Sequence, residues 1–270
     1  MRYNKIGFLG VGNMASALLK GMLQSGDIKP DCINIYDPSG DRMAKFSTYG
    51  VRACQSNKEV ADNSQYIFLC VKPQVCPEVL QSLQEVDWRE KVVVSICAGV
   101  TIATIKKYIG NQASVIRAMP NTPLLLGEGM TALACPPDVD TNSFQDIRAL
   151  FAASGKTVEV DESEISAVTA VSGSGPAYCF KLARAVIEEG IALGLSRETA
   201  SELFFQTMRG SAAMLAESGK SPSELIDMVT SPKGTTLAAS EIFDQNGFEP
   251  TTRKAVRACY DRAEELAGNR

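Results

Sequence analysis

The chain has 270 residues, room for one large domain or two modest ones, with 45% hydrophobic and 21% charged residues, an ordinary globular balance. A formal net charge of −4 and the lack of any Lys/Arg-rich run make nucleic acid and anionic membrane poor partners, and neither is expected. There is no histidine, which removes Ser-His-Asp and Cys-His nucleophiles, His-ligated zinc and any dehydrogenase that moves its proton on imidazole.

The opening segment, Met1-Arg2-Tyr3-Asn4-Lys5, runs directly into Ile6-Gly7-Phe8-Leu9. That apolar stretch is too short for a signal-peptide core or a membrane span, and no later run reaches membrane length, so a cytoplasmic protein is expected. Short apolar runs then alternate with helical patterns. Strands are expected at Lys5–Leu9, Ile33–Tyr36, Tyr66–Val71, Val92–Ile96, Ser114–Ala118, Met130–Ala134 and Thr157–Val160, with helices such as Met14–Gln24 and Ser143–Ala152 between them. This alternation predicts an α/β fold, a Rossmann-type, doubly wound, mostly parallel sheet over residues 1–161.

From Ser163 onward the pattern is helical throughout. Phe180, Ala183, Ile187 and Ile191 recur at three- and four-residue steps and predict one apolar stripe. Ser196-x-x-Thr199 and Ser221-Pro222-x-Glu224 read as helix starts, Gly194 and Gly219 as helix ends. Residues 162–270 are therefore expected to form an all-α domain. So small a bundle with long apolar faces gains core by pairing with a second subunit, which predicts a homodimer. The eight cysteines include no Cys-x-x-Cys pair, and several lie in strand-like apolar runs. They read as small buried hydrophobes rather than as a metal site or disulfides.

Gly10-Val11-Gly12-Asn13-Met14-Ala15 follows the first strand and opens the first helix. In such a Gly-x-Gly-x-x-Ala turn the first glycine permits the tight bend and the second lets backbone approach a pyrophosphate. The alanine allows close helix–strand packing, and the helix N-terminus near Asn13 offers free N–H groups. Asp37 follows Ala15 by about twenty residues, the interval expected of a ribose-binding carboxylate. A nicotinamide dinucleotide is the expected cofactor. Asp37 would accept from a ribose 2′-hydroxyl and repel a 2′-phosphate, favouring NADH. Ser39 and Arg42 are close enough to meet a phosphate, which leaves NADPH open.

Further segments fall in a telling order: Phe68-Leu69-Cys70-Val71-Lys72-Pro73, Ser95-Ile96-Cys97-Ala98-Gly99-Val100, Arg117-Ala118-Met119-Pro120-Asn121-Thr122-Pro123, Ser172-Gly173-Ser174-Gly175-Pro176-Ala177-Tyr178 and Thr230-Ser231-Pro232-Lys233-Gly234-Thr235-Thr236. In this order and spacing the chain resembles the pyrroline-5-carboxylate reductase family over nearly its whole length. The resemblance implies NAD(P)H-dependent reduction of 1-pyrroline-5-carboxylate to L-proline. It also implies a helical dimerisation domain, active sites completed by the partner subunit, and further assembly, commonly into pentamers of dimers.

On the same resemblance Val71, Lys72, Pro73, Ala98 and Gly99 lie against the cofactor with Gly10, Gly12, Asn13 and Met14, and Asn57 reaches the adenine-side ribose. Read alone, Lys72-Pro73 is equally an ordinary strand-to-helix connection. Pro232 and Gly234 interrupt the helical pattern and leave a hydroxyl-rich turn that can feed a helix at Leu237. In the family this turn holds the substrate carboxylate, which points to Ser231, Thr235 and Thr236 as substrate-binding residues and to Thr236 as the group at the ring nitrogen. The family usually carries glycine where this chain has Lys233. Lysine there is strained if φ is positive, and otherwise faces solvent or adds charge near the carboxylate.

A cyclic imine suits a chain without histidine, because its nitrogen is itself basic and the iminium accepts hydride readily. Two other readings share the fold. One is a β-hydroxyacid dehydrogenase or ketopantoate-type reductase using Lys181 as its catalytic lysine. The other is a non-catalytic, cofactor-sensing protein, since fold does not fix function.

Overall fold

Strands of only four residues carry most of the first sheet because both of their faces are covered. β1 (Ile6–Leu9), β2 (Ile33–Tyr36), β4 (Tyr66–Leu69) and β5 (Val92–Ser95) are apolar along almost their whole length and almost wholly buried. The computed structural model describes residues 5–268; residues 1–4 and 269–270, the outer ends of the two expected domains, lie outside the described residues. β3 (Arg52–Ala53), β6 (Ser114–Pro120), β7 (Gly129–Ala134) and β8 (Gly155–Val160) complete an eight-stranded sheet in the order β3-β2-β1-β4-β5-β6-β7-β8. The helices between them are α1 (Asn13–Gln24), α2 (Gly40–Ser47), α3 (Asn57–Asp62), α4 (Cys76–Gln81), α5 (Ile102–Ile109) and α6 (Thr141–Ala152).

Every neighbouring pair is parallel except β6 and β7. Parallel pairing needs a crossover of a dozen or more residues, usually a helix. Between β6 and β7 there is only a short 3-10 turn, Thr122–Leu126, so the chain must return antiparallel. Side chains from the two faces of the sheet build two cores. Phe8 and Phe68 stack at 4.9 Å on one face, beside Phe151 of α6. Ile67, Val93 and Ile105 pack on the other.

All seven expected strands are present, each end within two residues of its sequence-based position. β3 has no counterpart in that reading. It is two residues long, exposed, and lies at the sheet edge, so it carries no hydrophobic signature.

After β8 the described chain is helical: α7 (Ile165–Val168), a π-helical turn at Thr169–Gly173, α8 (Gly175–Ala192), α9 (Arg197–Glu217), α10 (Pro222–Val229), α11 (Thr235–Gln245) and α12 (Phe248–Leu266). Ser196 Oγ accepts the Thr199 N–H at the start of α9, and Ser221 with Glu224 forms a capping box on α10. Gly194 and Gly219 follow α8 and α9 with positive φ, 101° and 69°. Each of these four residues therefore does what its sequence context indicates.

The chain forms two compact units. One runs to Ser174 and takes in the end of the chain from Cys259; the other is Gly175–Ala258. Inside the second, Ala183 and Ile187 of α8 are buried against Ala200 of α9, with Ile191 and Phe204 partly covered. Phe180, expected on the same stripe, is 65% exposed. So are Leu203, Phe205, Met214, Ile226 and Phe243 for about half their surface. A helical unit that buries so few of its apolar side chains internally has an unfinished core. No helix among the described residues is long and apolar enough to cross a membrane.

Candidate active site

The parallel strands β3, β2, β1, β4 and β5 all end on one edge of the sheet, and the strand order reverses between β1 and β4. Open α/β sheets bind ligands at that point, outside the carboxyl ends of the strands. Gly10 leaves β1 there with φ 87°, and a Cβ on it would lie 2.9 Å from Val71 Cγ1 and 3.0 Å from the Cys70 carbonyl oxygen. Only glycine fits such a bend. Gly12 is different. Its φ is −68°, and a Cβ there would meet nothing within 4 Å, so the space above it is open. α1 begins at Asn13 without a side-chain cap. The N–H groups of its first turn, Asn13 and Met14 among them, therefore border that space with the positive end of the helix dipole. Ala15 is buried beneath.

Asp37 is buried at the end of β2, where its carboxylate accepts the Val11 N–H at 3.0 Å and the Ser39 N–H at 2.9 Å. It thereby ties the glycine turn to the β2–α2 loop. Arg42 of α2 reaches the same carboxylate at 3.3 Å from a side chain that is 55% exposed. Asn57 is half-buried as the first residue of α3, whose N-terminus is capped by Ser56. Val71, Lys72 and Pro73 follow β4, and Ala98 and Gly99 follow β5. The structure thus brings the cofactor residues expected from sequence onto a single edge of the first unit. The donor set fits a dinucleotide: free N–H groups and open backbone at Gly12, and a carboxylate a strand away.

Three polar side chains that sequence reasoning left without a role brace this edge. Cys97 is buried, and its thiol donates to the Val71 carbonyl at 3.2 Å, joining the loops after β4 and β5. Arg117 is 4% exposed and pairs with Glu162 at 3.5 Å; Glu162 also accepts the Ile102 N–H at 2.7 Å, holding the first turn of α5. Burial lowers the pKa of the Arg117 guanidinium, and Glu162 opposes that shift. Asn121 donates to the Ser172 carbonyl and hydroxyl, both at 3.3 Å, and accepts the Met130 N–H at 2.9 Å, fixing the π-helical turn to the end of β6. Arg117 and Asn121 stand in the quoted motif, but a one-dimensional pattern does not show which backbone groups they reach.

In the second unit, Ser231-Pro232-Lys233-Gly234 is a β-turn closed by the Gly234 N–H donating to the Ser231 carbonyl at 2.9 Å. Proline at the second position and a positive φ at the third, 62° at Lys233, are the marks of a type II turn. α11 starts at Thr235, two residues before the expected Leu237, because Gly234 rather than Thr236 is the extended N-cap residue. A Cβ on Gly234 would lie 2.4 Å from Ser231 Oγ. Thr235 and Thr236 therefore stand in the first helical turn, with Ser231 across the bend. Three hydroxyls and the N–H groups of a helix N-terminus form a neutral, anion-accepting surface. Lys233 takes the strained option and also faces solvent. Lys181, the residue the dehydrogenase reading needs, is exposed on α8.

Residues 162–266 match the family model described as pyrroline-5-carboxylate reductase dimerisation, and residues 5–99 match NADP oxidoreductase coenzyme F420-dependent. The chain is 40% identical over 265 residues to a pyrroline-5-carboxylate reductase of Pseudomonas aeruginosa, covering 97% of each. It is 38% identical to one of Corynebacterium melassecola, covering 97% of this chain and 98% of the relative. A crystal structure of Plasmodium falciparum pyrroline carboxylate reductase with NADP bound superposes with a TM-score of 0.92 at 30% identity, covering 99% of both chains.

Left-handed backbone costs an L-residue roughly 1–2 kcal/mol, more than the extra chain entropy of glycine. Replacing Lys233→Gly should therefore raise the unfolding free energy by about 0.5–1 kcal/mol. Urea titrations of both proteins at the same concentration check this, and a fall in stability would show that Lys233 makes a compensating contact.

Proposed function

We propose a division of labour for this chain, which belongs to the pyrroline-5-carboxylate reductase family and reduces 1-pyrroline-5-carboxylate to L-proline as an NAD(P)H-dependent oxidoreductase acting on CH–NH. The observation that carries the proposal is the bend at Ser231–Gly234 feeding straight into Thr235 and Thr236 at a helix N-terminus. The first-turn N–H groups of α11, with the Ser231 and Thr235 hydroxyls, hold the substrate carboxylate. Thr236 takes the ring nitrogen, either donating a proton or orienting a nitrogen protonated from solvent. No side chain need carry a proton at neutral pH, consistent with a chain that lacks histidine. The cofactor lies along Gly10, Gly12, Asn13, Met14, Asp37, Asn57, Val71, Lys72, Pro73, Ala98 and Gly99, and when bound it supplies the hydride. The protein's remaining task is to hold the imine carbon at near-attack distance, about 3–3.5 Å.

NADH is the proposed preference. Asp37 keeps its carboxylate buried and fixed by two backbone N–H groups, so a 2′-phosphate would have to approach a negative charge that cannot swing away. A 2′-hydroxyl needs only to take the place of Arg42. The helical domain beginning at residue 162 is proposed to close its unfinished core in a homodimer, and dimers to assemble further into a decamer. A cytoplasmic location suits eight unpaired cysteines. The Lys181 dehydrogenase reading is not favoured, because the chain's relatives over its full length are pyrroline-5-carboxylate reductases.

Following consumption of reduced cofactor with 1-pyrroline-5-carboxylate, Thr236→Val should lower kcat by about tenfold or more while Lys181→Ala stays within about twofold of the parent. Unchanged turnover in Thr236→Val would remove Thr236 from the chemistry. Asp37→Ser should move the ratio of kcat/KM for NADPH over NADH upward by about tenfold, worth about 1.4 kcal/mol; a parent enzyme that already prefers NADPH strongly would overturn the NADH assignment. Sedimentation velocity should show a dimer or a multiple of it, and a pure monomer would contradict the helical interface.

A further inference from the structure

The chain's last helix does not end in the helical unit. From Cys259 it belongs to the first unit, and there Cys259, Tyr260, Asp261, Ala263, Glu264 and Ala267 are half-buried, while the Leu266 side chain is 48% exposed. Two observations fix where this segment lands. Cys259 Sγ is 3.2 Å from Ser174 Oγ, just past the π-helical turn that Asn121 holds. At the other end, a Cβ placed on Gly99 would lie 2.8 Å from Leu266 Cβ and 2.9 Å from the Leu266 carbonyl oxygen. Gly99 is the third residue of the turn Cys97–Val100, with φ 73° and a Val100 N–H to Cys97 carbonyl bond of 3.3 Å. The turn therefore needs glycine twice, once for its backbone conformation and once because the end of α12 is pressed against it.

We propose that Leu266 is a positioning element for the nicotinamide dinucleotide: the last turn of α12 is the back wall that holds Ala98 and Gly99 in place. The same turn is braced from its other end: the buried Arg117 pairs with Glu162, and Glu162 holds the first turn of α5 immediately after the Cys97–Val100 turn. Gly268 closes the helix with φ 74° and its N–H on the Glu265 carbonyl, so Leu266 sits in the last turn of α12.

The inference rests on the reading that Ala98 and Gly99 meet the cofactor, and the test separates the two. In the full-length enzyme, Leu266→Gly should raise the Kd of the reduced cofactor, measured by fluorescence titration, and its KM by about fivefold to tenfold, a size that small displacements of a binding group produce. The KM for 1-pyrroline-5-carboxylate should stay within about twofold of the parent, which a general loss of folding would not allow. Gly99→Ala serves as the reference. A raised cofactor Kd in Gly99→Ala with an unchanged Kd in Leu266→Gly overturns the back-wall role, as does an equal rise in both KM values. An unchanged Kd in Gly99→Ala overturns the cofactor reading itself.

Discussion

At the end of β1 the chain turns so close to the end of β4 that one added carbon on Gly10 would touch both Val71 and the Cys70 carbonyl. That contact decides where everything else on the cofactor edge can be. It requires a positive φ, which only glycine adopts without strain, and it sends the backbone through Val11 to the open space at Gly12. Asp37 then fixes the turn from the other side by accepting the Val11 N–H, so the glycine bend is gripped between β2 and β4. A nucleotide-binding turn left loose would lose much of its value, because backbone N–H groups bind an anion well only when already aligned.

Imine reduction is also compatible with a restriction on the chain, its lack of histidine. An enzyme that must protonate a carbonyl oxygen needs an acid of suitable pKa; one that reduces an imine starts from a nitrogen that water can protonate. Neutral donors, hydroxyls and helix-terminal N–H groups then suffice to orient the substrate, and Ser231, Thr235 and Thr236 are of that kind. The same economy holds for charge. Arg117, a buried cation, pairs with Glu162, which braces the first turn of α5.

The helical unit is built to be completed. Its helices α9 and α10 start at side-chain caps made within the chain, while Leu203, Phe205 and Ile226 lie open. Local structure and association are thus encoded separately, in the polar residues at helix ends and in the apolar residues on their faces. The alternation of the two along α8 and α9 explains why the stripe predicted from periodicity splits. Ala183 and Ile187 pack within the unit, whereas Phe180 stays exposed on the same helix.

How much was legible in the sequence depends on whether the signal was local. Strands from Ile6 to Val160 could be placed because an apolar run between helical segments is a short-range pattern. The caps at Ser196 and Ser221 could be placed because a capping residue and its target are three positions apart. The missed strand at Arg52–Ala53 has no such pattern; its pairing with β2 is its sole reason to be extended. Residue spacing likewise singled out Gly10, Gly12 and Asp37 as candidates, and resemblance singled out the loops after β4 and β5 and the bend at Ser231. Neither could show that Cys97 joins two of those loops, that Asn121 holds Ser172, or that Leu266 returns across 167 positions to press on Gly99. The sequence alone determined the elements, their order and the residue types available for chemistry, since these depend on neighbours along the chain. The folded structure alone decided which loops brace one another, because those contacts join residues whose separation is bridged only when the sheet and the last helix are in place.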